Sequence, residues 1–545
     1  MDSSQPLSSW WLMALPVVTH NQAPLPLASS DIAVFSTWVL CFTVLVIAVL
    51  GLIVSWAYPG GSAWGGCLFM RQRKPIPGPR GMPILGSLPV MGGLAHRSLA
   101  SLAQCCKAKR LMAFSLGSNR VVISSQPELA KEILNSSAFA DRPIKESAYQ
   151  LMFDRAIGFA PYSDYWRNLR KIAATHLFAP RRISAFESHR QTLTNSMLQS
   201  IESSGDLNSV RIREILQRSS LNNIMGSVFG RCYGFECGDS EAEELASMVK
   251  EGYELLGTFN WADHLPLLGF LDFQNIRRRC SDLVPRVYAF VQNIIEEHRA
   301  NPAVGDDRAD SDFVDVLLSL KGNDMLTDTD MVAVLWEMIF RGTDTVAILM
   351  EWILARLILH PDIQAKVHHE LDSVVGNSRQ VSESDIAKLP YLQAVVKEVL
   401  RIHPPGPLLS WARLAIHDVH VGGHHIPAGT TAMVNMWSIT HDEDIWTDPL
   451  SFNPDRFLPS AGGEEINIMG SDLRLAPFGS GRRVCPGKAL GLQTVHTWVA
   501  RMLHHFQWLA SEDHPVDLSE LLRLSCEMKA PLYAKPIRRN TVPFQ

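Results

Sequence analysis

A cysteine near the C-terminal end of the chain has the neighbourhood of a sulfur ligand. Cys485 stands in the segment F-G-S-G-R-R-V-C-P-G, and the stretch from Lys488 to Phe506 that follows has a helical pattern. Glycines let a backbone approach a flat ligand closely, and amides at the start of a helix stabilise a thiolate. We therefore interpret Cys485 as a candidate metal ligand. The plainer interpretation is a buried cysteine in a glycine turn.

A second group of reactive side chains lies in one long predicted helix. Thr327 and Asp330 form a capping-box-like start, and a mostly apolar stretch runs to His360, before Pro361. A helix that is apolar on most sides must cross a core, so its polar residues need partners or a cavity. These polar residues share one broad stripe: Glu337, Arg341, Asp344 and Thr345.

Arg341 has two candidate partners on this stripe. Glu337 lies four residues before it and Asp344 three residues after it, so either carboxylate can reach the guanidinium. A pair with Glu337 would be a structural ion pair. A pair with Asp344 would restrain that acid from giving up a proton. The spacing leaves both open.

The cysteine segment resembles the haem-binding signature of the cytochrome P-450 family, F-x-x-G-x-R-x-C-x-G, at every fixed position. Further motifs of that family have counterparts in the same order: W-R-N-L-R with Trp166 and Arg170, K-E-V-L-R with Glu398 and Arg401, then Arg413, and P-D-R-F with Arg456. R-G-T-D-T-V resembles the family's oxygen-binding pattern but departs from it at Arg341 and Val346. Within the family, the chain resembles the plant subfamily numbered seventy-eight A, linked to organ and seed growth.

The resemblance implies a role for each matched residue. Cys485 would ligate the iron of haem b as an axial thiolate, and Asp344 with Thr345 would deliver protons for oxygen activation. Glu398, Arg401 and Arg456 would form a buried structural lock. The remaining matched residues would contact the haem: Trp166, Arg170, Arg413, Phe478, Arg483 and Gly487.

The implied activity is that of a monooxygenase, which inserts one oxygen atom of O₂ into a lipophilic small molecule, such as a fatty-acid-like compound or a growth-signal precursor. No G-x-G-x-x-G follows a predicted strand, so electrons from NADPH would come through a partner, NADPH–cytochrome P-450 reductase. That partner would dock near Arg482 and Lys488. Two alternatives stay open, a family member that rearranges hydroperoxides without a reductase and a haem sensor without turnover.

The first part of the chain predicts a membrane anchor. Residues 32–58 carry no charge and are long enough to span a bilayer. Arg71, Arg73 and Lys74 follow this stretch, which predicts a lumenal tail at 1–31 and a cytosolic body. We expect a single-pass protein of the endoplasmic reticulum membrane, with a basic and proline-rich hinge at 59–83.

The body at 84–545 is predicted to be one catalytic domain, mainly α with small β-sheets, and the resemblance implies the cytochrome P-450 fold. Long helical patterns alternate with short β-branched runs such as Arg120–Ser124 and Val419–Val421. The formal net charge of -5 gives no case for nucleic-acid binding. Nine cysteines at scattered positions predict thiols rather than a disulfide scaffold.

Overall fold

The computed structural model describes residues 29–69, 74–204, 207–234, 240–266, 269–301, 311–409, 412–470 and 472–539. Its α-helices are α1 Ser29–Ala57, α2 Ala95–Cys105, α3 Pro127–Asn135, α4 Glu146–Gln150, α5 Asp164–His176, α6 Pro180–Ala185, α7 Glu187–Glu202, α8 Ile212–Phe229, α9 Ser240–Gly257, α10 Ile276–Ala300, α11 Phe313–Ser319, α12 Asp328–Leu359, α13 Pro361–Val374, α14 Pro390–Ile402, α15 Met436–Thr440 and α16 Lys488–His505. Its strands are β1 Met112–Leu116, β2 Asn119–Ser124, β3 Val210–Arg211, β4 Arg413–Leu414, β5 Val419–Val421, β6 His424–Ile426, β7 Thr431–Val434, β8 Phe506–Ala510, β9 Glu520–Leu522, β10 Cys526–Met528 and β11 Tyr533–Arg538. The predicted class, mainly α with small sheets, is confirmed.

Helix α12 is 32 residues long and runs through the core, as its sequence predicts. The Thr327 hydroxyl accepts a hydrogen bond from the Asp330 amide, and the Asp330 carboxylate accepts one from the Thr327 amide. This capping box satisfies amides that the first turn cannot bond internally. Helices α8, α14 and α16 pack against α12 and bury most of its length. Of the polar stripe of α12, Glu337 is buried, whereas Arg341, Asp344 and Thr345 keep some accessible surface.

The small sheets bring distant segments of the chain to the same region. Strands β1, β2, β7 and β4 form one sheet in that order, with β2 parallel to β7 and the other two pairs antiparallel. A second sheet has the order β3-β11-β8. Strands β9 and β10 form a hairpin, and β10 packs against α12. Strands β5 and β6 form another hairpin.

The chain divides into two compact units, residues 1–54 and 55–545. Within α1, the 22 residues Ser36–Ala57 are long and apolar enough to cross a membrane. The lumenal tail predicted at 1–31 lies almost entirely outside the described residues, as do Arg71 and Arg73.

Within the predicted hinge, the 3-10 helix Ser62–Phe69 comes first, and the proline-rich residues from 74 onward belong to the body. Residues 74–81 have no helical turn. The Ala113 amide of β1 donates a hydrogen bond to the Pro77 carbonyl at 2.9 Å, and Ile76 is buried. These contacts fix the segment against the first sheet, so it is not a free linker.

Candidate functional site

A cavity lies between α12 and the loop of residues 477–487, which we call the cysteine loop. The cavity has a volume of about 290 Å³, and its walls are mostly apolar. Seven of the residues predicted to form the site line this cavity: Arg170, Thr345, Arg413, Phe478, Arg483, Cys485 and Gly487. Segments more than 300 residues apart in the chain therefore meet here, as the motif order predicts.

The cysteine loop holds Cys485 in the cavity wall. The Cys485 amide donates a hydrogen bond to the Phe478 carbonyl at 3.0 Å. Gly481 adopts a φ of +69°, and a Cβ there would lie 2.0 Å from the Leu134 carbonyl oxygen, so the turn requires glycine. Burial raises the pKa of the Cys485 thiol. The Gly487 amide and the charges of nearby arginines act in the opposite direction and favour the thiolate.

Four arginines surround the cavity, and we call them the arginine cluster: Arg142, Arg413 and Arg483, which are buried, and Arg170, which is half-buried. Burial lowers the pKa of each guanidinium, and repulsion among them lowers several further. The pKa falls to about 9 for Arg413 and to about 10 for Arg483. So much buried positive charge calls for an anion.

Arg413 shows most directly that an anion belongs in the cavity. It is buried on β4 and donates one hydrogen bond, to the Ser480 carbonyl at 3.2 Å. Its Nε and Nη1 atoms are buried and have no partner among the described residues. Buried donors without acceptors are costly, so a ligand with acidic oxygens fits this position.

Arg170 and Arg483 are held largely by backbone carbonyls. Arg483 donates to the carbonyls of Ala140 (2.9 Å), Ile157 (3.2 Å) and Ala160 (2.8 Å). Arg170 donates to the Val484 carbonyl at 2.9 Å. These bonds fix the positions of the two charges beside the cavity.

Trp166 and Asp344 are not among the described residues that line the cavity. Trp166 is buried, its Nε1 donates to the Ile157 carbonyl at 2.9 Å, and the Arg483 guanidinium lies 4.1 Å from its ring centroid. Trp166 therefore supports Arg483 by a cation–π contact. The sequence could not show this orientation.

Asp344 and Thr345 face different surroundings although they are adjacent in α12. Thr345 faces the cavity, and its hydroxyl donates to the Arg341 carbonyl at 3.4 Å. Asp344 lies beside Gln217, with Glu527 and Arg213 near it. Burial, and then the charge of Glu527, raise the pKa of Asp344 to about 7. At neutral pH this carboxyl can therefore both accept and release a proton.

Arg341 pairs with Glu337, which is one of the two options that its spacing left open. The Arg341 Nε lies 3.0 Å from Glu337 Oε1. Glu337 is 1% exposed, and Oε1 also accepts a hydrogen bond from the Gly158 amide at 2.8 Å. The pair therefore joins α12 to the segment before α5.

Glu398, Arg401 and Arg456 meet away from the cavity. Arg401 donates two hydrogen bonds to Glu398, at 2.7 and 2.8 Å, and both side chains are fully buried. Arg456 donates a third to Glu398 Oε1 at 3.1 Å. Arg401 also donates to the carbonyls of Thr440 and Pro449. The contacts link α14 to the short 3-10 helix Pro454–Phe457, which carries Arg456.

Sequence reasoning missed several residues of the cavity wall, among them Arg142 and Tyr253. Arg142 lies in the segment F-A-D-R-P, to which the sequence analysis gave no role. Tyr253 enters from α9, and its ring stacks on Phe340 with centroids 4.3 Å apart. A tyrosine in an amphipathic helix carries no sequence signal for such a position.

A second polar cluster lies outside the cavity. One ligand atom from each of His96, Glu520 and Cys526 falls within 4.8 Å of the others. Arg97 already contacts Glu520 at 2.8 Å, and burial raises the pKa of the Cys526 thiol.

Cys485 is the cysteine that lines the cavity among the described residues. The cysteines whose side chains are described are free thiols, as predicted, whereas Cys67 and Cys237 lie outside that set.

Comparisons with known proteins agree with this geometry. The sequence model of the cytochrome P-450 family matches residues 76–532. The chain is 56% identical to cytochrome P-450 78A6 of Arabidopsis thaliana, over 94% of this chain and 97% of that protein. It is 38% identical to the flavonoid 3'-monooxygenase of the same plant, over 84% of this chain and 91% of the relative.

A solved structure shows the same architecture. A zebrafish cytochrome P-450 in complex with abiraterone superposes with a TM-score of 0.67 at 26% identity, covering 82% of this chain and 99% of the other. The chain belongs to the cytochrome P-450 family of monooxygenases.

Proposed function

We propose that this protein is a haem-thiolate monooxygenase in which Cys485 ligates the iron of haem b. The observation that carries the proposal is the position of Cys485 in the wall of a mostly apolar cavity that the arginine cluster surrounds. A thiolate on iron favours O–O bond cleavage. The glycine turns of the cysteine loop leave room for a flat ligand against the sulfur.

The arginine cluster fits the two propionates of a haem. Bound haem would bring two carboxylates into a region where neighbouring guanidiniums lower the pKa of Arg142, Arg413 and Arg483. Arg413 offers two buried donors, Nε and Nη1, that such a carboxylate would accept. We assign Arg142, Arg170 and Arg483 to the same task. Trp166 would act through Arg483, while Phe478 and Gly487 would pack on the ring.

Asp344 and Thr345 would deliver protons on the α12 side of the cavity. The haem, when bound, supplies the iron centre at which dioxygen is activated. Thr345 places a hydroxyl in the cavity wall, where it can hold and pass a proton. Asp344 lies on the flank of α12 and has a pKa of about 7. Arg523, which is half exposed, and Glu527 lie near it, so Asp344 can exchange protons with solvent.

The substrate that we propose is a lipophilic small molecule, either fatty-acid-like or a growth-signal precursor. Apolar side chains form most of the cavity wall, including Met338, Leu349 and Leu409. Tyr253 and Arg341 add polar groups that could orient one end of such a molecule. A role in plant organ or seed growth is part of the proposal, on the likeness of the R-G-T-D-T-V-A segment.

Electrons would come from NADPH through the membrane-bound cytochrome P-450 reductase. We place its docking surface around Arg482, which is exposed, and Lys488, three residues after Cys485. A basic surface there would attract an acidic partner to the side of the haem that carries the sulfur. The segment Ser36–Ala57 would anchor the protein in the endoplasmic reticulum membrane, with residues 84–545 as a cytosolic catalytic domain.

The ligand assignment is tested by the spectrum of the purified full chain. We expect the reduced protein with carbon monoxide to give the strongly red-shifted absorption of thiolate-ligated haem. Cys485→Ser is expected to abolish this band. Cys526→Ser is the matched control, because Cys526 is a buried thiol outside the cavity, and the band is expected to persist. The reverse result would reject Cys485 as the ligand.

Turnover is tested by reconstitution with the reductase. We expect NADPH consumption and oxygenated products when the protein is supplied with reductase and a plant lipid extract. Product formation from hydroperoxides without NADPH would favour the rearranging alternative. A thiolate spectrum without NADPH consumption would favour a haem sensor.

A further inference from the structure

Gly158 lies against the ion pair of Glu337 and Arg341. A Cβ at this position would be 2.3 Å from Glu337 Oε1 and 2.4 Å from Arg341 Nη2. The φ of Gly158 is not positive, so the backbone here does not require glycine. Glycine is needed for space, because the ion pair occupies the volume that a larger residue would fill.

The same short segment contacts the cysteine loop on its other side. The Ile157 carbonyl accepts hydrogen bonds from Arg483 Nη1 (3.2 Å) and Trp166 Nε1 (2.9 Å). The Gly158 carbonyl accepts one from Arg142 Nε at 3.2 Å. Arg483 lies two residues before Cys485. Residues 157–158 therefore stand between α12 and the loop that carries the sulfur.

We propose that Glu337 and Arg341 are positioning residues that tie α12 to Ile157–Gly158, and that this tie holds the cysteine loop in register with α12. The tie runs from Arg341 to Glu337, to the Gly158 amide, and through the Ile157 carbonyl to Arg483. The link of this tie to Cys485 as a ligand rests on the proposed function. The contacts that make up the tie are independent of that function.

The tie explains why Arg341 replaces the small residue of the oxygen-binding pattern. Glu337 is buried at 1% exposure, and burial raises the pKa of its carboxyl, so an adjacent cation is needed to keep it ionised. Arg341 supplies that cation four residues later on the same helix. Its guanidinium also lies 5.8 Å from the ring centroid of Phe159. Glu337 and Arg341 therefore contact Gly158 and Phe159, two neighbouring residues of the same segment.

The inference is tested by hydrogen exchange on the full chain in detergent, with three variants. Gly158→Ala pushes the ion pair away without straining the backbone, and Arg341→Met removes the cation. The third is the double variant Gly158→Ala with Arg341→Met. Because opening the tie exposes its amides, each single variant is expected to speed exchange of the amide at position 158 by about tenfold and to raise exchange in residues 481–487. The double variant is expected to match the single ones, since all three break one linkage.

Two further variants serve as controls. Glu337→Met combined with Arg341→Met removes both charges of the pair and the acceptor of the Gly158 amide, so it keeps the test valid if Arg341→Met fails to fold, and the same exchange increase is expected. Arg299→Met breaks an ion pair with Asp328 at the start of α12 and should leave residues 157–158 and 481–487 unchanged.

A second readout follows the sulfur itself. Breaking the tie is expected to increase the fraction of reduced carbon monoxide complex that loses the red-shifted band on mild heating. Additive effects of the two single changes, or unchanged exchange in residues 481–487, would overturn the inference. A wild-type protein without the band would instead reject the proposed function, and exchange would still decide on the tie.

Discussion

Thr345 carries the hydroxyl that faces the cavity. We expect removal of this hydroxyl to uncouple NADPH oxidation from product formation. We expect Thr345→Ala to bind haem and to oxidise NADPH while its yield of product per NADPH falls roughly tenfold or more, the usual scale for loss of a proton-transfer group. Thr343→Ala is the matched control. Thr343 is buried, and its hydroxyl bonds to the Ile339 carbonyl at 2.7 Å, away from the cavity. Equal yields in wild type and Thr345→Ala would contradict the role.

The raised pKa of Asp344 predicts that product yield per NADPH depends on pH. Its carboxyl has a pKa of about 7 in the folded protein against 3.8 ordinarily. The protonated form therefore disappears as pH rises through 7, and product yield per NADPH is expected to fall over that range. Asp344→Asn is expected to give a low yield without this pH dependence. A wild-type profile that is flat between pH 6 and pH 8 would speak against Asp344 as the proton donor.

The same titration affects stability with a defined sign. Between pH 3.8 and about 7 the folded protein holds a proton on Asp344 that the unfolded chain has lost. Raising the pH through that interval therefore removes stability at this site. The difference in Tm between Asp344→Asn and wild type is expected to move in favour of the variant as pH rises to 7. Thermal unfolding at a series of pH values measures it.

Arg413 is expected to have opposite effects on the protein with and without haem. Its guanidinium is buried, repelled by Arg483 and Arg170, and short of acceptors for Nε and Nη1. Arg413→Met should relieve this repulsion and raise the Tm of the haem-free protein. It should also speed haem loss roughly tenfold or more, because charge-assisted hydrogen bonds contribute about 1.5–3 kcal/mol each. Transfer of haem to an acceptor protein measures the loss rate, and slower loss would exclude a propionate contact.

At the scale of elements, the contacts of Glu398 join α14 to the segment that carries Arg456. Glu398→Ala leaves the fully buried Arg401 without its carboxylate, so we expect a loss of about 3–5 kcal/mol in the free energy of unfolding. Arg456→Met should cost less, because Arg456 is partly exposed and Arg401 would still neutralise Glu398. Denaturant unfolding of the two variants measures the difference. Equal costs would mean that Arg456 contributes as much as the buried pair.

Local signals in the sequence were enough to predict several elements. The capping box of Thr327 and Asp330 and the proline at 361 bound α12 within a residue or two of the observed ends. The runs at 120–124 and 419–421 are strands. These features depend on residues that are close in the chain, so periodicity and caps suffice to find them.

What the sequence could not supply depends on side-chain direction and on distant neighbours. Spacing allowed Arg341 to reach Glu337 or Asp344, and the Gly158 amide, which is far away in the chain, stabilises Glu337 as the partner. Trp166 was expected at the haem, whereas its donor is bonded to Ile157. The location of Arg142 in the cavity depends on its hydrogen bonds to the carbonyls of Gly158 and Ala412, which are distant in the chain. None of these follows from periodicity.

For the whole molecule, the docking of a reductase predicts a dependence on ionic strength. Charge reversal in Arg482→Glu with Lys488→Glu is expected to slow electron transfer from the reductase, most strongly at low salt, because exposed charges are screened over about 10 Å at 0.1 M. Chemical reduction by dithionite is the control and should be unaffected. Stopped-flow reduction at several salt concentrations measures the effect. A rate that does not change would place the docking surface elsewhere.

The arginine cluster also has a consequence inside the cell. Repulsion among the guanidiniums of the arginine cluster acts on Arg142, Arg413 and Arg483, and under the proposed function it would destabilise the haem-free fold. Ligands that bind only the native state shift the balance between folded and unfolded chains by mass action. Newly made polypeptide that finds no porphyrin should therefore be a preferred target for proteases. Steady-state abundance would then follow the supply of iron and tetrapyrrole, even at constant transcription.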